Sequence, residues 1–160
     1  MKKTLSMLLA GAMLATALTG CGSSASTGSD SADNSTDSSA SGAAFKIGGT
    51  GPLTGANAIY GNACKNGAQI AVDEINAEGG DIQFELNYQD DEGDAEKAVN
   101  AYNALKDWGM QLSLGSVTSK PCEATAAETY SDRIFALTPS ASSTGTTEGK
   151  DNMFQMCFID

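Results

Sequence analysis

Two hydroxyl-rich segments are the part of this 160-residue chain whose residue types suit the binding of a polar ligand. Residues 115–119, GSVTS, follow an apolar stretch and lead into a predicted helix over 121–132. Residues 138–144, TPSASST, follow a second apolar stretch over 134–137. Pro121 suits the first turn of a helix, where the N–H groups have no partner within the helix. Those N–H groups, with the positive end of the helix dipole, attract a carboxylate or phosphate.

Both segments are predicted to lie at the same edge of one sheet. Loops that leave neighbouring parallel strands at their carboxyl ends converge on a single crevice, which is where such sheets bind ligands. The two hydroxyl-rich loops and the helix N-terminus that follows the first therefore predict a site for a small polar or zwitterionic molecule.

The sequence lacks a residue that could serve as the general base for a serine or cysteine nucleophile. The chain has no histidine, which is the usual general base and the commonest metal ligand. Ser119 is followed by Lys120, which we expect to point away from it, and a serine without an activating base is a poor nucleophile. We therefore predict that the protein is not an enzyme.

Two further stretches resemble ligand motifs but lack features that those motifs require. Residues 90–94, DDEGD, lack the spacing and the distal glutamate of a calcium loop, so we expect a solvated turn in which Asp94 caps the next helix. Residues 49–54, GTGPLT, lack the third glycine of a dinucleotide fingerprint. Cys64, Cys122 and Cys157 fit no zinc pattern, and their pairing stays open. We expect no metal and no cofactor.

The charge balance argues against a nucleic-acid partner. The chain has 9 Lys and Arg residues against 20 Asp and Glu residues, which gives a net charge of −11. Nucleic-acid binding requires a basic surface. Acidity of this kind more often serves solubility than it marks a cationic ligand.

The N-terminus has the features of an export signal. Lys2 and Lys3 precede an uncharged run over 4–18, which is short for a membrane-spanning helix. The following LTGC, which ends at Cys21, resembles a bacterial lipobox, whose cysteine is lipidated and becomes the first residue of the mature protein. We predict a lipoprotein signal over 1–21, with an ordinary cleaved signal as the alternative. A flexible Ser/Gly/Asp tether is predicted over 22–44 and a folded lobe over 45–160.

Hydrophobic periodicity within residues 45–160 predicts an α/β fold. Helical spacing of apolar residues predicts helices over 57–78, 95–108 and 121–132. Short apolar or alternating stretches predict strands over 45–50, 82–88, 110–114, 134–137 and 153–159. Strands that alternate with helices in this way favour a Rossmann-like parallel sheet with helices on both faces. Because a domain seldom ends on an uncapped apolar strand, we expect this sequence to be the first part of a longer protein.

A series of short motifs, taken in order, carries a resemblance to a known family. They are IG at 47–48, GPLTG at 51–55, YG at 60–61, NGA at 66–68, VDEIN at 72–76, GG at 79–80, DD at 90–91, KAV at 97–99, GSVTS at 115–119, TPSA at 138–141 and FID at 158–160. The folded part resembles the N-terminal lobe of the branched-chain amino acid (leucine/isoleucine/valine) binding proteins of ABC importers. The resemblance implies a two-lobed, type I periplasmic-binding fold that closes on its ligand.

The same resemblance implies where a ligand would be held. In that family, the loop after the third strand holds the carboxylate and ammonium groups of an amino acid, which puts Thr118, Ser119 and the N–H groups of the following turn on the ligand. The loop after the fourth strand would add Ser140 and Ser142, and Tyr60 in the first loop would line the side-chain end. The alternatives remain that Ser119 is only a helix cap, that Ser140 and Ser142 are ordinary loop serines, and that Tyr60 only packs against its loop.

The sequence also departs from the family pattern. Family members are well over twice this folded length, and their second lobe supplies aromatic and acidic groups that face the ammonium. Well-known members have a disulfide between the loops after the second and third strands, whereas residues 91–93 and 117–118 hold those places here. Cys122 and Cys157 are not equivalent to that bridge.

The function expected from the sequence is that of an extracytoplasmic solute-binding protein. We expect it to be anchored to the cell membrane through Cys21, to capture an amino acid of the branched-chain class, and to deliver it to the permease subunits of an ABC importer. One alternative keeps the fold but binds a short amide, urea or an aromatic acid. Another is the sensory ligand-binding module of a receptor, which a transmembrane helix and kinase-like sequence after residue 160 would favour.

Overall fold

The computed structural model describes residues 44–160, and the predicted signal, Cys21 and residues 22–43 of the tether lie outside them. The strands are β1 Phe45–Gly51, β2 Phe84–Asp90, β3 Leu112–Ser116, β4 Phe135–Thr138 and β5 Met153–Gln155. The helices are α1 Ala58–Ala77, α2 Ala95–Trp108 and α3 Ser119–Asp132, with a short 3-10 turn at Thr144–Thr146. Within residues 44–160, no helix is both long and apolar enough to cross a membrane.

All neighbouring strands pair in parallel, in the order β2-β1-β3-β4-β5. The chain moves from β1 to β2 on one side and then returns to place β3 on the other side of β1. In such sheets, the strand order reverses between β1 and β3, and the crevice outside their carboxyl ends is the expected ligand site. The predicted α/β, Rossmann-like fold is confirmed.

The helices occupy both faces of the sheet, as predicted. Helices α2 and α3 pack against each other on one face, where α2 contacts β1 and β2 and α3 contacts β3, β4 and β5. Two buried clusters lie on this side, namely Tyr102, Leu105 and Met110 in one, and Cys122, Ala126, Ala136, Ala141 and Met153 in the other. Helix α1 packs on β1 and β2 on the opposite face.

The α1 face of the sheet is apolar where β4 and β5 reach it. The rings of Phe135 and Phe154 stack with centroids 5.1 Å apart, although these side chains are 44% and 46% exposed. Met156 continues the patch and is 71% exposed. We call Phe135, Phe154 and Met156 the uncovered sheet face, since the alternation of a strand places Ala136 and Met153 on the buried side.

The predicted fifth strand is longer than the strand that the structure contains. It was expected over 153–159, but β5 ends at Gln155 because its pairing partner β4 ends at Thr138. Phe158 and Ile159 are exposed rather than part of the sheet. The second and third strands begin and end two residues later than predicted, because pairing with β1 continues as far as Gly51↔Asp90 and Thr50↔Ser116.

The predicted start of α2 and the predicted end of α1 are both confirmed. Asp94 caps α2, since its side chain accepts a hydrogen bond from the Lys97 N–H at 2.9 Å. The glycine pair predicted to end the first helix follows Glu78, the C-cap residue of α1, and Gly79 has a φ of +73°.

Candidate functional site

The predicted site residues lie together in one cleft at the carboxyl ends of β1, β3 and β4. The cleft has a volume of about 320 Å³ and is lined by Asn57, Tyr60, Val117, Thr118, Ser119, Ser140 and Ser142. Tyr60, Thr118, Ser119, Ser140 and Ser142 were expected from the sequence, whereas Asn57 and Val117 were not. Asn57 immediately precedes α1, and its position before a helix was the one signal that could have indicated it.

The entry into α1 is fixed by close backbone packing. A Cβ atom placed on Gly61 would lie 2.0 Å from the carbonyl oxygen of Pro52, so only glycine allows α1 to approach the loop after β1 this closely. Asn62 donates a hydrogen bond to the Leu53 carbonyl at 3.0 Å. Tyr60 therefore lies in the first turn of α1 rather than in the loop where the sequence analysis placed it, and its side chain is 60% exposed.

Ser119 is the first residue of α3, and Thr118 occupies the N-cap position. The predicted alternative that Ser119 is only a helix cap does not match this placement. The Ser119 Oγ atom accepts a hydrogen bond from the Ser143 N–H at 3.4 Å, which leaves the hydroxyl proton of Ser119 free to be donated. The Thr118 side chain makes no capping bond, and its Oγ1 atom is buried with no partner in the part of the chain that the structure describes.

The opposite wall of the cleft is formed by the loop after β4. Ser140 is exposed, and the Ser142 hydroxyl donates to the Asp160 carboxylate at 2.5 Å. All seven lining side chains are neutral. The backbone N–H groups at the N-terminus of α3, on the side of Thr118 and Ser119, and the surrounding hydroxyls give the cleft a surplus of hydrogen-bond donors, which suits a carboxylate without any cationic side chain.

The acidic turn after β2 differs from the sequence prediction. It was expected to be solvated, but one of its carboxylates is buried. Asp91 is fully buried, and its Oδ1 atom accepts from the Gly93 N–H at 2.8 Å while its Oδ2 atom has no partner among residues 44–160. Burial raises the pKa of the Asp91 carboxyl, and the charges of Asp90 and Asp94 act in the same direction.

Replacing Asp91 by asparagine is expected to stabilise the protein at neutral pH by on the order of 1 kcal/mol, because a buried and only partly hydrogen-bonded carboxylate is replaced by a neutral amide. Since the pKa of Asp91 is raised on folding, the wild type loses stability as the pH rises from the unfolded value of about 4 to the folded value. The advantage of the variant should therefore vanish below that window and stay constant above it. Urea unfolding of both proteins across this range measures the difference, and an advantage that grows toward acid pH would contradict the assignment.

The cysteines and acidic groups of residues 44–160 form no cluster that suits a metal ion. No group of three or more Cys, Asp or Glu side chains in residues 44–160 is arranged to hold a metal ion. Cys64, Cys122 and Cys157 are free thiols, and burial raises the pKa of Cys122. A buried thiol with a raised pKa is a poor nucleophile.

Comparison with known proteins agrees with this architecture. A family model described as periplasmic binding protein matches residues 44–159. The Leu/Ile/Val-binding protein BraC3 of Rhizobium johnstonii is 36% identical over 117 residues, which are 71% of this chain and 32% of that protein.

Solved structures give the same result. The branched-chain amino acid transporter substrate binding protein LivJ from Streptococcus pneumoniae, in complex with isoleucine, has a TM-score of 0.68 and 33% identity over 72% of this chain and 34% of that one. An ABC transporter solute binding protein from Rhodopseudomonas palustris BisB5, in complex with 3,4-dihydroxy benzoic acid, has a TM-score of 0.67 over 72% of this chain and 32% of that one. At 17% identity, the second likeness shows the fold alone. This chain thus spans about a third of the proteins that it matches.

Proposed function

This chain belongs to the periplasmic binding protein family, and from that premise we propose that it is the N-terminal lobe of a protein that captures an amino acid outside the cytoplasm. The proposed protein passes its ligand to the permease subunits of an ABC importer and carries out no chemistry itself. Ligand binding would favour a closed arrangement of two lobes over an open one, and the importer would recognise the closed form.

The observation that carries this proposal is the composition of the cleft. A helix N-terminus, the Ser119 hydroxyl and the unpartnered Thr118 hydroxyl meet in a space of about 320 Å³ that no charged side chain of residues 44–160 lines. Such donors bind the carboxylate of an amino acid and leave its ammonium group to be met from elsewhere. Ser140 supplies a further hydroxyl, Ser142 lines the same cleft with its hydroxyl donated to the Asp160 carboxylate, and the exposed ring of Tyr60 offers an apolar surface to the ligand side chain.

A branched-chain amino acid is the ligand that we propose. Two kinds of relative support it, a protein named for binding leucine, isoleucine and valine and a transporter protein in complex with isoleucine. We also propose that Cys21 is lipidated after removal of residues 1–20, so that residues 22–44 tether the lobe to the outer surface of the cell membrane.

A thermal-shift screen of the full-length mature protein against all amino acids, short amides, urea and aromatic acids tests the ligand. A ligand present at 100 times its dissociation constant adds about 2.7 kcal/mol of stability. A shift with leucine, isoleucine or valine supports the proposal. Shifts only with amides, urea or aromatic acids would keep the fold and replace the ligand, and no shift with any compound would favour the sensory-module alternative.

Ser119→Ala is expected to weaken binding of the amino acid by about 1–3 kcal/mol, because a charged group would lose a hydrogen bond in a desolvated cleft. Ser131→Ala, near the exposed C-terminal end of the same helix, is the matched control and should leave the affinity unchanged. Isothermal titration of both variants measures the effect. An unchanged affinity in Ser119→Ala would remove this hydroxyl from the site.

A further inference from the structure

Four residues with buried hydroxyl groups lie at the ends of the strands that lead to the cleft and in α3. None of these four residues lines the cleft itself. Thr50 of β1, Ser116 of β3, Thr125 of α3 and Thr138 of β4 are each no more than 3% exposed. We call these four residues the buried hydroxyl row. The Ser116 hydroxyl lies 2.5 Å from that of Thr50 and 3.2 Å from that of Thr125, so the row connects β1, β3 and α3.

Thr138 connects the row to the two loops that carry the cleft hydroxyls. Its Oγ1 atom donates to the Ser116 carbonyl at 2.8 Å, just before the loop with Thr118 and Ser119. The same atom accepts from the Ala141 N–H at 3.1 Å, between Ser140 and Ser142. One fully buried hydroxyl thus bonds to the backbone on both sides of the cleft.

The backbone itself does not make this connection. The pairing of β3 with β4 covers Leu112↔Phe135 and Ser113↔Ala136 only, and both strands continue beyond it toward the cleft. Gly115, with a φ of +60°, brings the β3 backbone close to Thr138, since an added Cβ atom would lie 3.3 Å from the Thr138 Cα and Cβ atoms. The threonine hydroxyl therefore takes the place of ladder hydrogen bonds at the point where the loops begin.

We infer that Thr138 is a positioning residue of the cleft, whose buried hydroxyl holds the loop of Thr118 and Ser119 and the loop of Ser140 and Ser142 at a fixed separation. The inference rests on the proposed function. A β-branched side chain has few accessible χ1 rotamers, so the two bonds are made from a stiff support. Hydrogen bonds in a low-dielectric interior are costly to leave unmade, which keeps the two loops in one arrangement.

The test compares Thr138→Val, which keeps the shape and removes the hydroxyl, with Thr138→Ser, which keeps the hydroxyl and removes a methyl group. In the full-length protein, we expect Thr138→Val to weaken binding of the amino acid by about tenfold, the equivalent of 1.4 kcal/mol. Thr138→Ser should bind within about threefold of wild type, although it loses packing and thermal stability. Equal affinities for the two variants would overturn the inference.

Thr129→Val is the control for the loss of any buried hydroxyl. Thr129 is 1% exposed, and its Oγ1 atom donates to the Ala126 carbonyl at 3.0 Å within α3, so it does not connect the loops. The Thr129→Val variant should bind the amino acid with the affinity of the wild type, even if its free energy of unfolding is lower. An affinity loss in Thr129→Val equal to that of Thr138→Val would show a general effect of stability and overturn the inference.

Hydrogen exchange of the Ala141 amide in the wild type provides a readout that requires neither folded variants nor a ligand. Exchange as slow as that of the neighbouring strand amides is expected, because this N–H is bonded to a buried hydroxyl. Fast exchange would overturn the inference even if Thr138→Val fails to fold. If the wild type binds no amino acid at all, the proposed function fails, while slow exchange still supports the connection between the loops.

Discussion

Gly61→Ala is expected to lower the free energy of unfolding by about 3 kcal/mol, because the new methyl group overlaps backbone atoms that cannot move aside cheaply. The ideal Cβ position lies 2.0 Å from the Pro52 carbonyl oxygen and 2.6 Å from its carbonyl carbon. Helix α1 must therefore shift away from the loop after β1. Because Asn57 and Tyr60 line the cleft at this end of α1, the same variant should also bind its ligand more weakly.

Gly67→Ala, two turns later in α1, is the matched control. Nothing lies within 4 Å of its Cβ position, so the substitution should stabilise the helix by about 0.5–1 kcal/mol through the lower entropy of the unfolded chain. Urea unfolding of the full chain measures both variants. If the two substitutions change stability by similar amounts, the close approach of α1 to Pro52 is not present in solution.

The second large effect is expected at Tyr102. Tyr102→Ala should lower the free energy of unfolding by about 3–5 kcal/mol, as is typical for the removal of a buried aromatic ring. Tyr102 is 1% exposed and packs with Leu105 and Met110, and its hydroxyl donates to the Asp132 carboxylate of α3 at 2.9 Å. The loss therefore combines a cavity with a broken contact between α2 and α3.

Tyr60→Ala should give the opposite pattern. Tyr60 is 60% exposed, so its removal should change stability by no more than about 0.5 kcal/mol. The affinity for the amino acid should fall by about 1 kcal/mol, because part of the ring is expected to be buried against the ligand. Chemical unfolding and isothermal titration separate the two tyrosines, and a large stability loss in Tyr60→Ala would make it a packing residue rather than a cleft residue.

The fold was largely predictable because its signals are local. The apolar spacing of α2, the cap at Asp94 and the glycine after α1 depend on residues a few positions apart, and each was found where expected. Short strands were less predictable, because where a strand ends is decided by its neighbour. Met156 still donates to the carbonyl of Thr138, the last residue of β4, but the apolar residues after Met156 have no further residue of β4 to pair with.

The meeting of the five residues in one cleft was predictable, whereas the contacts that surround them were not. A rule of topology places the loops after β3 and β4 at one crevice, and the five predicted side chains do lie along one cleft. The sequence does not distinguish Gly61 from Gly67, which have the same helix propensity but different surroundings. Likewise, a buried Asp91 and a bridging Thr138 depend on atoms far away in the chain, so a turn aspartate and a loop threonine were the only interpretations that local pattern allowed.

The uncovered sheet face has a consequence for the behaviour of the protein in concentrated solution. Phe135, Phe154 and Met156 expose apolar surface, and burying such surface between two copies would release free energy. Each copy carries a net charge of −11, which opposes that contact over a distance set by the ionic strength. Salt shortens the range of the repulsion and leaves the apolar attraction in place. We therefore expect the colloidal stability of this 160-residue chain to depend on its surplus of carboxylates and to be higher in dilute buffer than in concentrated salt.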